Sequence, residues 1–244
     1  MKKLNIFLNR IKPFLSTVFE GFLSLIYKEN CCICGCSKDN KILCKTCSKS
    51  VEILSGFAQG VLDGVEIYSA CFYKDTIRTL IHKLKFNHKR TVARVLAGIL
   101  YNYFKKIIEF EQIKAGNIDR FQNAILVPVP TQKKNIKERG YNNVYEITKE
   151  FSNLSGLPFL DGFLVKIKNS KPQYKMNKNQ RKSNVEGTFN INLKRLSNKE
   201  DLDNKTFVII DDIITTGATL GEIIKVLKEN GVKNIICITL SKAV

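Results

Sequence analysis

Residues 207–219 read FVIIDDIITTGAT. The run from Phe207 to Ile210 is apolar without alternation, the pattern of a strand covered on both faces, and TFVIID predicts a strand over 206–211. That strand ends in two adjacent acids, Asp211 and Asp212. A short loop, Ile213 to Gly217, then enters a helix expected over 219–230, which stops at the Asn230–Gly231 signal. Free N–H groups and the dipole at a helix N-terminus favour an anion. Thr215, Thr216 and Thr219 add hydroxyl donors, and Gly217 lets the backbone close around a phosphate without a Cβ in the way. Two carboxylates beside such a cradle suit sugar hydroxyls, directly or through Mg²⁺. A phosphate next to a vicinal diol describes a ribose 5-phosphate. No Lys follows the glycine, so this is not the ATPase phosphate loop, and no dinucleotide-binding glycine pattern is present.

Outward from this stretch the same grammar repeats. VEIYSACFY (65–73), AILVPV (124–129) and NIICITL (234–240) read as further strands. Helical patterns follow Asp75, with Ile77, Leu80, Ile81 and Leu84 on one face, cover 91–109, and follow Asn142. Buried strands alternating with helices predict an α/β fold with a mostly parallel sheet flanked by helices. The expected organisation is an amphipathic helix over 1–30, a small cysteine-rich module over 31–50, a Gly-containing connector over 51–64, and the α/β domain over 65–244.

The chain has 244 residues and a net charge of +18, from 40 Lys and Arg against 22 Asp and Glu. This length buries a core without disulfides, and 44% hydrophobic residues exclude a largely disordered chain. The surplus charge asks for a polyanionic partner, unless joint enrichment in Lys, Asn and Ile reflects genome composition. The charge is local, however. Residues 74–94 hold seven Lys and Arg against Asp75, and residues 163–199 hold ten against Glu186. The second segment has weak periodicity and reads as an exposed, mobile loop. Residues Leu4 to Phe22 show helical apolar spacing interrupted by Asn9, Arg10, Lys12 and Glu20. They fall short of a membrane span and lack a cleavage site, so the reading is a cytoplasmic protein without stable membrane insertion.

Of eight cysteines, Cys31, Cys34, Cys44 and Cys47 stand as C-x2-C-x9-C-x2-C. Two such knuckles complete a tetrahedral sulfur shell suited to zinc, and four protein ligands leave no open position, so the zinc is structural. A reactive thiol group or an iron–sulfur site is the alternative. Cys32 and Cys36 are spare and read as solvent-facing thiols.

Residues 207–219 match the phosphoribosyl pyrophosphate (PRPP) signature of type I phosphoribosyltransferases at every position. LVPVPTQKKNIKERGYNN (126–143), KLKF (83–86), Arg181, Asn184 and Val185, and the four-cysteine head resemble the ComF family, also called competence protein F or GntX-like proteins. Tyr141 replaces the usual Phe and Asn143 stands where Gln is usual. The resemblance implies a zinc ribbon before a type I phosphoribosyltransferase-like domain. Asp211 and Asp212 would contact the ribose hydroxyls, and Thr215, Thr216, Gly217, Ala218 and Thr219 would hold the 5-phosphate. Arg139 and Gly140 would approach the diphosphate, Lys85 would add charge, and Arg181 and Asn184 would lie on a flap or a nucleic-acid track. Arg139, Asp211 and Asp212 are the candidate catalytic residues.

The same resemblance implies DNA uptake and natural transformation, with single-stranded DNA and a competence helicase as partners. Two other readings stand beside it. One is a catalytically active phosphoribosyltransferase, a glycosyltransferase using PRPP and Mg²⁺. The other is a non-catalytic PRPP or nucleotide sensor. Tyr73, Phe86, Tyr141 and Tyr174 lie near the basic runs, where single-strand binders place aromatic platforms.

Overall fold

The computed structural model describes residues 29–86, 90–115, 119–132, 136–138, 140–167, 186–198 and 200–243. The amphipathic helix expected over 1–30 falls outside these residues up to position 28. The chain divides into two compact units, residues 1–50 and 51–244.

In the first unit the backbone turns on itself around the cysteines. The Gly35 N–H donates to the Cys31 carbonyl and the Cys31 N–H to the Cys36 carbonyl, both at 2.8 Å. The Cys32 N–H donates to Ile42 at 2.8 Å, which ties the two knuckles together. A short helix, α1 (Lys45–Lys49), starts at Cys44, whose sulfur caps it by accepting from the Cys47 N–H at 3.4 Å. Cys32 is buried rather than solvent-facing, because its segment pairs with Ile42 across the module.

The second unit is built on a five-stranded sheet in the order β1-β2-β7-β6-β3. The strands are β1 (Gly60–Leu62), β2 (Val65–Phe72), β3 (Ala124–Pro128), β6 (Thr206–Ile214) and β7 (Asn234–Lys242). β2, β7, β6 and β3 run parallel, and β1 is an antiparallel edge. Their continuous apolar runs are explained by burial: every residue of β3 and the first five of β6 are buried.

Between β2 and β3 lie α2 (Asp75–Phe86), α3 (Thr91–Ala115) and the short α4 (Asp119–Gln122). α5 (Asn143–Ser155) follows β3, and α3 and α5 pack on each other and on the sheet. Phe104 of α3 meets Phe121 and Phe151 edge-on at 5.3 and 5.5 Å. Asn142 caps α5 by accepting from the Val144 N–H at 3.1 Å, as the sequence suggests. A two-stranded arm, β4 (Leu164–Lys166) and β5 (Phe189–Ile191), precedes the small helix α6 (Asp201–Asn204). α7 (Ala218–Glu229) crosses over from β6 to β7, burying Leu220, Ile223, Ile224 and Leu227.

Three further expectations change. The connector over 51–64 contributes β1 and a bridge from Ile53 to Cys71, so part of it belongs to the sheet. Gly56 there lies so close to α3 that a Cβ would overlap the Lys106 carbonyl, which only glycine allows. The segment 163–199, read as a loop, carries the β4–β5 arm at its ends. The helix expected over 91–109 continues to Ala115.

Candidate phosphate and sugar site

β6 does not end at the acid pair. Asp211 pairs with Thr239, and Ile213 and Ile214 pair with Ser241 and Lys242 of β7. The Ala243 N–H closes the ladder on the Ile214 carbonyl at 2.8 Å. The loop is therefore only Thr215 to Gly217. Gly217 is the N-cap of α7 at φ 76°, in the left-handed region that favours glycine. Gly217 itself offers no side chain to cap α7, while the Ala218 N–H donates to Thr216 Oγ1 at 3.5 Å. Asp211, Thr215, Thr216, Gly217, Ala218 and Thr219 line one small cavity of about 30 Å³. The structure thus brings together the acid and the loop residues that the sequence singled out.

The two acids sit in different surroundings. Asp212 is paired with Lys85 of α2, whose Nζ lies 2.6 Å from Asp212 Oδ2. The Asp212 N–H also donates to Asp211 Oδ1 at 2.8 Å, and its carbonyl accepts from the Ser241 hydroxyl at 3.0 Å. Burial pushes Asp211 up to about 7, with the neighbouring Asp212 charge adding to the rise. The Asp212 N–H, Lys85 and Lys166 act the other way. A buried acid beside another acid is a carboxylate in want of a cation or of hydroxyl donors. The pair therefore fits a divalent cation carried by a phosphorylated sugar.

Lys166, at the end of β4, escaped the sequence reading. Burial pushes its ammonium down while the Asp211 charge holds it up, so Lys166 lies within electrostatic reach of Asp211. Its amine lies 5.3 Å from the Phe189 ring centre. Nothing in the aperiodic 163–199 stretch distinguishes this lysine from its neighbours. Also unread was a cavity of about 230 Å³ beside the loop. Leu62, Ile67 and Ile214 give it apolar walls, with Gln59, Ser69 and Lys242 as polar groups.

Gly140 sits at φ 79° and ends a helical turn, its N–H donating to Ile136 at 2.7 Å. Its carbonyl accepts from Arg90 at 3.1 Å. Arg139, Arg181 and Asn184 lie outside the described residues. Tyr141 is buried, donates its hydroxyl to the Leu84 carbonyl and carries Arg90 over its ring at 4.8 Å. It packs α5 against α2 and offers no platform. Asn143 is buried with its Oδ1 unpartnered among the described residues.

In the first unit the sulfurs of Cys31, Cys34, Cys44 and Cys47 all lie within 4.8 Å of one another, and Cys34 and Cys44 are 3.7 Å apart. Sulfurs bound tetrahedrally to zinc at ~2.3 Å stand about 3.8 Å apart. Burial opposes ionisation of Cys31, but N–H groups of Cys44, Cys34 and Ile33 bring it down to about 6. Burial and the neighbouring Cys34, Cys44 and Cys31 sulfurs push Cys47 up, because so many thiolates cannot share one space without a cation. The cluster could hold a metal, and the donor set fits zinc.

This geometry agrees with comparison to known proteins. Residues 136–243 match the phosphoribosyl transferase domain family. The matched phosphoribosyl transferase region holds β6, the loop and α7. Over 163 residues the chain is 26% identical to Competence protein F of Haemophilus influenzae, covering 67% of this chain and 66% of that protein. It is 24% identical over 166 residues to DNA utilization protein YhgH of Salmonella typhimurium, and 24% over 159 residues to YhgH of Escherichia coli K12. These cover 68% and 65% of this chain. The chain spans about two thirds of the length of these relatives, 66% for the first two. No helix among the described residues is long and apolar enough to cross a membrane.

Proposed function

We propose that this protein binds PRPP or a related phosphoribosyl ligand at the end of β6, and that it serves DNA uptake by handling single-stranded DNA. The observation that carries the ligand reading is that Asp211 and the loop leading into the N-terminus of α7 line one cavity. Backbone N–H groups of the loop and of α7, with the hydroxyls of Thr215, Thr216 and Thr219, receive the 5-phosphate. Asp211 and Asp212 take the ribose hydroxyls. Asp211 and Asp212, together with the ligand, would hold a divalent cation such as Mg²⁺, which would supply positive charge to the diphosphate. Arg139 and Gly140 lie on the chain leading from β3 to α5, where an Arg fork and a close backbone suit a diphosphate. Arg181 and Asn184, in the stretch between β4 and β5, act as a flap or as a nucleic-acid contact. The zinc ribbon is structural.

The DNA reading rests on the relatives' names and on the two basic segments. The competence setting also supplies a cytoplasmic location and a helicase partner.

A second reading, true phosphoribosyl transfer, is favoured by the 230 Å³ cavity beside the loop, which leaves room for an acceptor. The C1–O bond would break with its electron pair leaving on diphosphate, and a nitrogen lone pair would form the new C1–N bond. Lys85 and Arg139 would hold the departing charge.

Incubation with PRPP, Mg²⁺ and a panel of bases separates the two. Base-dependent pyrophosphate release supports the transferase. A PRPP-induced rise in melting temperature without turnover supports a binding protein, and no thermal response to PRPP contradicts both.

A further inference from the structure

α2 has a face that the phosphoribosyl site does not use. Asp75, Arg78, Thr79, His82 and Lys83 recur at steps of three and four residues and line a groove of about 480 Å³. The next residue of that stripe is Phe86. Its ring stacks on His82 with centroids 4.6 Å apart and planes tilted by 39°, and the residue is 56% exposed. Much of the basic charge around this helix is already spent on acids. Lys74 pairs with Glu52, Lys85 with Asp212, Arg90 with Glu146 and Arg94 with Glu150. Among the described residues no acid forms an ion pair with Arg78 or Lys83.

We infer that this groove is a landing surface for single-stranded nucleic acid, with phosphates on Arg78 and Lys83 and a base stacked on the exposed Phe86 ring. The inference rests on the DNA-handling reading above and gives it a place. Unspent cations beside an exposed ring are the two ingredients of sequence-tolerant single-strand binding. A partner protein's core would call for a broad apolar patch, whereas here one ring stands among charges. Lys85 leaves the same helix toward Asp212, so a strand on this face passes close to the phosphoribosyl site without occupying it.

Fluorescence anisotropy of labelled oligo(dT) with the full chain tests this. Phe86→Ala and Phe86→Leu should each weaken binding roughly 5- to 100-fold, since both remove the ring. Arg78→Glu with Lys83→Glu should weaken it and lower the log–log salt slope by about 1.4, the contribution of two phosphates on a single strand. PRPP binding should be unchanged in all of them, which also reports that they fold. Tight oligo(dT) binding by the wild type that none of these changes alters would overturn this surface while leaving DNA handling intact. No oligo(dT) binding by the wild type would overturn both. Loss of binding to phosphatidylserine vesicles in Phe86→Ala, with oligo(dT) affinity intact, would overturn it in favour of a membrane surface.

Discussion

The Lys85 ammonium lies 2.6 Å from the Asp212 carboxylate and joins α2 to the strand that carries the acid pair. Both side chains are largely buried, 22% and 12% exposed, so each depends on the other for its charge. Lys85→Met should cost about 3 kcal/mol by stranding a carboxylate beside Asp211. Lys85→Met with Asp212→Asn should recover most of that. Urea denaturation of the four proteins of the cycle measures the coupling, and additive losses would mean that the two residues act independently.

Asp211 gives a pH signature of known sign. Its folded carboxyl is pushed up to about 7, above its ordinary value of 3.8. The folded state thus holds a proton that the unfolded chain releases, and stability from this group is greatest below about pH 4 and is lost as pH rises to about 7. Asp211→Asn keeps the shape without the charge. The variant should melt higher than the wild type above pH 7, by a margin on the order of 2 kcal/mol, and the difference should vanish near pH 4. Melting curves across this range provide the check, and a wild type that gains stability relative to the variant with rising pH contradicts it.

Gly217 carries the turn into α7 at φ 76°, and a Cβ there would lie 3.4 Å from a Leu62 methyl. Gly217→Ala should cost roughly 1–2 kcal/mol in backbone strain. It should weaken PRPP more than it lowers the melting temperature, because the residue borders the cradle. Parallel melting and binding measurements read the two effects.

The four sulfurs of the first unit could hold a metal, on which the fold of residues 31–50 would then depend. Cys44→Ser removes a ligand, the sulfur cap of α1 and the partner 3.7 Å from Cys34. The expected result is loss of bound zinc and of amide protection over 31–50, with protection over 124–128 and 206–214 retained. Elemental analysis with hydrogen exchange measures both, and zinc-free wild-type protein with an ordered 31–50 segment would contradict the assignment.

The central strands were legible because a parallel strand covered on both faces can only be apolar throughout, as AILVP and TFVII are. The turn from β6 into α7 was legible because a glycine there, found at φ 76°, marks the passage from strand to helix. β1 was not, since three residues, Gly60 to Leu62, are too few to show a periodicity. The end of β6 was misjudged because Asp211 and Asp212 break the apolar run, while what holds that end is backbone pairing with Ser241 and Lys242. Tyr141 looked like a surface aromatic by sequence proximity to basic residues, yet its hydroxyl finds the Leu84 carbonyl and buries the ring. Lys166 comes within electrostatic reach of Asp211 only through the placement of the β4–β5 arm, which no local pattern encodes.

The most direct test of the account is calorimetric titration of the full chain with PRPP in the presence of Mg²⁺. A saturable heat is predicted, with affinity lowered at least about tenfold, or 1.4 kcal/mol, when Asp211→Asn and Asp212→Asn are combined. No heat from the wild type, or an acid-pair variant that binds PRPP as the wild type does, would contradict the assignment of this strand end as a phosphoribosyl site.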